Sequence, residues 1–222
     1  HKRFKQEAKA QARLKHPRII RATDFVEQEK QFFLIMDYME GEGLDEVIRE
    51  KGIFSEKEAL TIFKDVLDAL NFAHQKEVIH RDIKPSNILV DRNGRGWLTD
   101  FGIAILAGGR RYTSIGTNIG TPRYMSPEQF EHPWTIDHRA DVYAMGIVLY
   151  EMLTAEVPFD GDADYNIGKQ HCEAPVPDPG LRNPGISNVM KDIIFKSLEK
   201  NPDDRFTGCK EFLEYIEAID LP

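Results

Sequence analysis

Residues 80–102 read His80-Arg81-Asp82-Ile83-Lys84-Pro85-Ser86-Asn87-Ile88-Leu89-Val90-Asp91-Arg92-Asn93-Gly94-Arg95-Gly96-Trp97-Leu98-Thr99-Asp100-Phe101-Gly102. Two short apolar runs, Ile88–Val90 and Trp97–Thr99, flank Asn93-Gly94. That dipeptide is the strongest short-range hairpin signal, because both residues tolerate positive φ. A turn centred there pairs residues whose numbers sum to 187, which sets Asn87 against Asp100. Facing residues in such a ladder lie about 4.5–5.5 Å apart. An amide oxygen and a carboxylate at that separation suit a hard, oxygen-seeking cation such as Mg²⁺. Taken alone, the pair reads first as two strand-end caps, a common use of Asn and Asp.

The pattern on either side is mixed. Residues 2–14 have a helical stripe of Phe4, Glu7, Gln11 and Leu14, with Ala8 beside it; Glu7 is a carboxylate on a face that should be buried. Arg21–Val26 and Gln31–Tyr38 read as a hairpin about the charged turn 27–30, and Gly41 and Gly43 precede a short helix carrying Leu44, Val47 and Ile48. Ser55 and Glu58 form a capping box for a helix with Ala59, Ile62, Phe63, Val66, Leu70 and Ala73 on one face. Val78–Ile79 reads as a further short strand, and residues 103–127 read as loop. Helices are predicted at 138–154, 164–172, 186–199 and 207–218, punctuated by Pro158, Pro175, Pro177, Pro179 and Pro202.

The 222 residues carry 29 Lys and Arg against 37 Asp and Glu, a net charge of −8. That balance argues against general nucleic-acid binding through phosphate neutralisation. Charge is uneven: residues 1–21 hold eight basic groups against Glu7, a net +7, so the remainder carries −15. Cys172 and Cys209 have no CxxC spacing, which excludes a disulfide framework or a cysteine zinc site and fits a reducing, cytoplasmic setting. The apolar runs at 32–36 and 144–155, the second interrupted by Glu151, are too short or too polar to span a bilayer, so no membrane contact is expected from this segment. No signal peptide is recognisable, and a start at His1 reads as part of something longer.

His80-Arg81-Asp82 with Lys84 and Asn87, followed by Asp100-Phe101-Gly102, resembles the catalytic and metal-binding motifs of the eukaryotic-type (Hanks-type) protein serine/threonine kinases. So do Gly120-Thr121-Pro122-Arg123-Tyr124-Met125-Ser126-Pro127-Glu128, Asp141-Val142-Tyr143-Ala144-Met145-Gly146 and Asn201-Pro202-Asp203-Asp204-Arg205. The resemblance covers nearly the whole chain, and the segment 138–143 looks bacterial. It implies an α+β, protein-kinase-like fold. Residues 1–38 would be a remnant of the small lobe, one helix and a β-hairpin; residues 39–222 would be the mostly helical large lobe.

The resemblance also implies roles. Phosphoryl transfer needs positioning and charge stabilisation more than covalent help. Asp82 would accept the substrate hydroxyl proton, Lys84 would face the γ-phosphate, and Asn87 and Asp100 would hold Mg²⁺ on ATP. Met36 matches the gatekeeper, Asp37 to Met39 the adenine-binding hinge, and Leu89 the residue beneath adenine. Lys84 and Thr121 imply a protein substrate with a Ser or Thr acceptor. Arg81 implies control by a phosphate on the loop carrying Thr113, Ser114 and Thr117. Glu128 and Arg205 match a buried structural ion pair, and Asp141 an aspartate that braces the catalytic loop.

No stretch of the 222 residues matches the family's Gly-rich phosphate loop or its strand lysine; Gly41-Glu42-Gly43 and Gly94-Arg95-Gly96 lie on the wrong side of the first helix. Glu7 matches the glutamate that pairs with that lysine. The expectation is that this stretch alone is inactive, and that its hairpin self-associates through Phe32, Leu34 and a free strand edge. The other reading is a pseudokinase, a nucleotide- or partner-binding regulatory module; the intact Asp82, Lys84, Asn87 and Asp100 argue against it. A small-molecule phosphotransferase is disfavoured by the segment ending in Ser126-Pro127-Glu128.

Overall fold

The structure, a computed structural model, describes residues 14–28, 31–101 and 122–219. Glu7, Thr113, Ser114, Thr117 and Thr121 lie outside the described residues. An antiparallel hairpin of β1 (Ala22–Gln28) and β2 (Gln31–Met36) comes first, with an irregularity between Ala22 and Asp24. A second sheet has the order β3 (Glu42–Gly43), β4 (Ile88–Val90), β5 (Gly96–Leu98), all antiparallel. The helices are α1 (Leu44–Lys51), α2 (Glu56–His74), α3 (Pro127–Glu131), α4 (Arg139–Thr154), α5 (Asp164–Glu173), α6 (Asn188–Ser197) and α7 (Cys209–Glu217). No helix among the described residues is long and apolar enough to cross a membrane.

Two helices build the core. Helix α2 starts at the expected capping box: the Glu58 N–H donates to Ser55 Oγ (3.3 Å) and the Ser55 N–H to Glu58 Oε2 (3.1 Å). Its apolar face then packs against α7, α4 and β5. Helix α4 is buried on nearly every side, as its near-continuous apolar sequence requires. A Cβ on Gly146 would collide with Ser197 and Leu198, so glycine lets α4 approach the end of α6.

Three expectations need correction. Val78–Ile79 forms no strand. The last strand is Gly96–Leu98, and the β4–β5 register pairs Ile88 with Leu98 and Leu89 with Trp97, a sum of 186. Asn87 therefore faces Thr99, whose N–H donates to the Asn87 carbonyl (3.0 Å), and not Asp100. The cause is Asp91. Its Oδ1 accepts the N–H groups of Asn93 (2.8 Å) and Arg95 (3.1 Å), and Gly94 adopts φ +71°, giving a three-residue loop closed by a left-handed glycine. Finally, Leu34 is half-buried; among the described side chains of the first hairpin the exposed apolar ones are Val26, Phe33 and Ile35, and the side chain of Phe32 lies outside the description.

Candidate active site

Asp141, near the start of α4 and only 1% exposed, organises the loop 80–87. Its Oδ2 accepts the His80 N–H (2.8 Å) and contacts His74 Nε2 (2.7 Å); its Oδ1 accepts the Arg81 N–H (2.8 Å). Burial alone would raise this carboxyl, but the His74 ring and those N–H groups outweigh it and hold Asp141 below the usual carboxylate range. Arg81 thereby adopts φ +66°, an unfavourable left-handed backbone for a side chain of its size. Its carbonyl is held too, by Gln129 Nε2 (3.1 Å) from α3. The loop is pinned from two helices.

His80 is fully buried, and its ring packs 4.6 Å from that of Phe101. Nδ1 accepts the Asp82 N–H (3.4 Å), which assigns the proton to Nε2, and Nε2 donates to the Thr99 carbonyl (2.9 Å). Burial pushes its pKa down, against the pull of Asp141 and other nearby carboxylates, so the ring stays neutral. One imidazole thus ties the loop to the strand end before Asp100.

These supports converge on Asp82. Its Oδ2 accepts from Lys84 Nζ (2.9 Å) and Asn87 Nδ2 (3.2 Å), and its carbonyl accepts a second bond from Asn87 Nδ2 (2.7 Å). Asp82 is about a third exposed, so its other oxygen has room for an incoming hydroxyl. Asn87 is buried, in the single 3₁₀ turn Pro85–Asn87, with its amide NH₂ committed to Asp82 and its amide oxygen left as a hard donor. Asp100 is exposed, and its backbone turns at φ +53°, which redirects the chain beyond β5. Asp82, Lys84 and Asn87 are brought together directly; Asp100 follows Thr99, which is tied to the loop by the His80 ring and to Asn87 by its own N–H.

Met36 ends β2 half-buried, and the Thr99 hydroxyl approaches its Sδ (3.8 Å). The Asp37 N–H donates to the Arg21 carbonyl (2.9 Å), Met39 is half-buried, and Leu89 lies in β4 between Gly43 and Trp97. The Arg81 Nε is buried without a hydrogen-bond partner among the described residues. Two further residues, His74 and Gln129, hold the loop without a role expected from the sequence. His74 sits in no recognised motif, and only the buried end of α2 places it on Asp141. Gln129 was legible: Ser126-x-x-Gln129 is a capping box, and its side chain accepts the Ser126 N–H (3.0 Å) while reaching Arg81.

Residues 1–216 match the family model described as "Protein kinase domain". The probable serine/threonine-protein kinase CPE1738 of Clostridium perfringens is 38% identical over 218 residues, 98% of this chain and 32% of that protein. Serine/threonine-protein kinase PrkC of Bacillus subtilis is 38% identical over 210 residues, 95% of this chain and 32% of its own. PknB of Mycobacterium tuberculosis is 38% identical over 216 residues, 94% and 34% respectively. The chain thus spans about a third of the length of these relatives. The crystal structure of Rad53 1-466 in complex with AMP-PNP superposes with a TM-score of 0.83 at 25% identity, covering 99% of this chain and 55% of that one.

Proposed function

Because the chain belongs to the protein kinase family, we propose that it supplies the large lobe and part of the small lobe of an ATP- and Mg²⁺-dependent kinase acting on Ser and Thr hydroxyls of proteins. Residues 1–38 are assigned to the small lobe and 39–222 to the large one. The observation that carries the reading is the Asp82 carboxylate, with one oxygen fixed by Lys84 and Asn87 and the other without a hydrogen-bond partner among the described residues. The donor set fits magnesium: an amide oxygen and a carboxylate, with phosphates to complete the shell. Magnesium-bound ATP supplies a γ-phosphoryl group whose developing charge is partly neutralised by the metal.

The protein's own residues do the rest. Asp82 accepts a hydrogen bond from the acceptor hydroxyl, aims it in line and takes its proton. Lys84, its Nζ 2.9 Å from Asp82 Oδ2, meets the transferred phosphoryl oxygens with positive charge. Asn87 and Asp100 hold the metal. Met36, the backbone of Asp37 to Met39, and Leu89 form the adenine site. Arg81, whose buried Nε has no hydrogen-bond partner among the described residues, is proposed to receive a phosphate on Thr113, Ser114 or Thr117, while Thr121 contacts the catalytic loop. Activity is assigned to a polypeptide that supplies the phosphate loop and strand lysine; the 222 residues alone are expected to show no measurable turnover.

The full-length protein incubated with γ-labelled ATP and Mg²⁺ should yield phosphoserine or phosphothreonine on hydrolysis. Nucleotide binding without any labelled amino acid would replace this reading with that of a regulatory pseudokinase.

A further inference from the structure

The side-chain amide of Gln129 joins the start of α3 to the backbone immediately before Asp82. Its Oε1 accepts the Ser126 N–H (3.0 Å) and the Ser126 hydroxyl (3.2 Å), the closing half of the capping box. Its Nε2 donates to the Arg81 carbonyl (3.1 Å), 48 residues earlier in the chain. A backbone donor on one side and a carbonyl on the other leave the amide a single orientation.

The carbonyl it holds belongs to the peptide that joins Arg81 to Asp82. The N–H of that same peptide donates to His80 Nδ1 (3.4 Å), so both ends of the plane are fixed. On the other side of Arg81, its own N–H is held by Asp141 Oδ1 (2.8 Å). Arg81 sits between these clamps at φ +66°, a state that persists only where the surroundings over-determine it. Asp141 and His80 are buried and come from the head of α4 and from the loop itself. Gln129 is half-buried, and its bond to Arg81 exists only while residues 126–129 are folded into the start of α3. That helix is seated in turn by Glu128, each of whose carboxylate oxygens accepts from Arg205 (2.7 Å).

We propose that Gln129 is a positioning residue for phosphoryl transfer: through the Arg81–Asp82 peptide it makes the orientation of the Asp82 carboxylate depend on α3 being seated. The proposal rests on the role given to Asp82 above. Without the donor, the Arg81 carbonyl is free to turn, Arg81 relaxes toward an ordinary backbone, and Asp82 meets the acceptor hydroxyl off line. Gln129→Glu separates this role from helix capping. It preserves the capping box, in which glutamate is as good a partner, but sets an acceptor in place of a donor against the Arg81 carbonyl.

The test is a double-mutant cycle in the full-length protein, comprising Gln129→Glu, Asp82→Asn and the two together. Each is read by single-turnover transfer from Mg·ATP beside nucleotide affinity and thermal midpoint. Gln129→Glu should slow transfer about tenfold, the effect of one misplaced hydrogen bond, with nucleotide affinity unchanged. In the Asp82→Asn background the same change should slow transfer by less than about twofold, because the carboxylate that Gln129 positions is gone. Gln129→Met removes the donor without adding charge, and should repeat both results if the glutamate variant is unstable. A parent rate for the Gln129 variants, or equal slowing in both backgrounds, would overturn the proposal and leave Gln129 as a helix cap. A parent rate for Asp82→Asn alone would overturn the reading of Asp82, and the proposal with it.

Discussion

Arg205 shows how a single side chain can be specified by full satisfaction of its donors. Its side chain is completely buried, and all five N–H groups are used: two on Glu128 (2.7 Å each), and one each on the carbonyls of Glu199 (2.7 Å), Arg139 (3.1 Å) and Lys200 (2.9 Å). The Tyr143 ring covers the guanidinium at 4.8 Å. Glu128→Ala leaves that charge unpaired, and stability should fall by about 3–5 kcal/mol. Equilibrium denaturation by urea checks this; a loss below about 1 kcal/mol would show that the carbonyls alone suffice. This pair was legible in the sequence because both partners lie in recognisable motifs. The His74 contact to Asp141 was not, since it depends on where a 19-residue helix happens to end.

The two hairpins mark the limits of reading elements from sequence. Asn93-Gly94 correctly places a turn, yet the register is off by one because Asp91 draws two N–H groups to its carboxylate and converts a two-residue loop into a three-residue one. Asp-x-Asn-Gly carries that signal, but only to a reader who counts the Asp. The outcome matters for the site, since Thr99, bonded to both His80 and Asn87, and not a direct Asn87–Asp100 pair, links the strand end before Asp100 to the loop bearing Asp82. In the first hairpin the apolar run was visible, but alternation along β2 turns Phe33 and Ile35 outward, with Val26 facing Phe33 across the ladder, and leaves Leu34 half-buried on the other side. Val26, Phe33 and Ile35 form an exposed apolar face beside a strand edge that is unpaired among the described residues. The 222-residue polypeptide should therefore self-associate, and Phe33→Lys should reduce this; a monomeric sedimentation profile at every concentration would refute it.

Across the whole molecule, the fold was largely legible because its parts agree with one another. A capped amphipathic helix packs on a helix apolar on nearly every side, and Asp141 at the head of that buried helix reaches the loop bearing Asp82. What sequence alone did not show is how strained that loop is, and how many partners restrain it: Asp141, His80 and Gln129 hold Arg81 and Asp82 from three directions. Such preorganisation makes sense if Asp82 must meet a hydroxyl in one orientation. The most direct measurement compares the full-length protein with its Asp82→Asn variant, recording the single-turnover rate of phosphoryl transfer from Mg·ATP alongside nucleotide affinity and thermal midpoint. Transfer should slow by roughly 10²–10⁴-fold while affinity and midpoint stay close to those of the parent. A variant that transfers phosphate at the parent rate would contradict the assignment of Asp82, and with it the central role given to this loop.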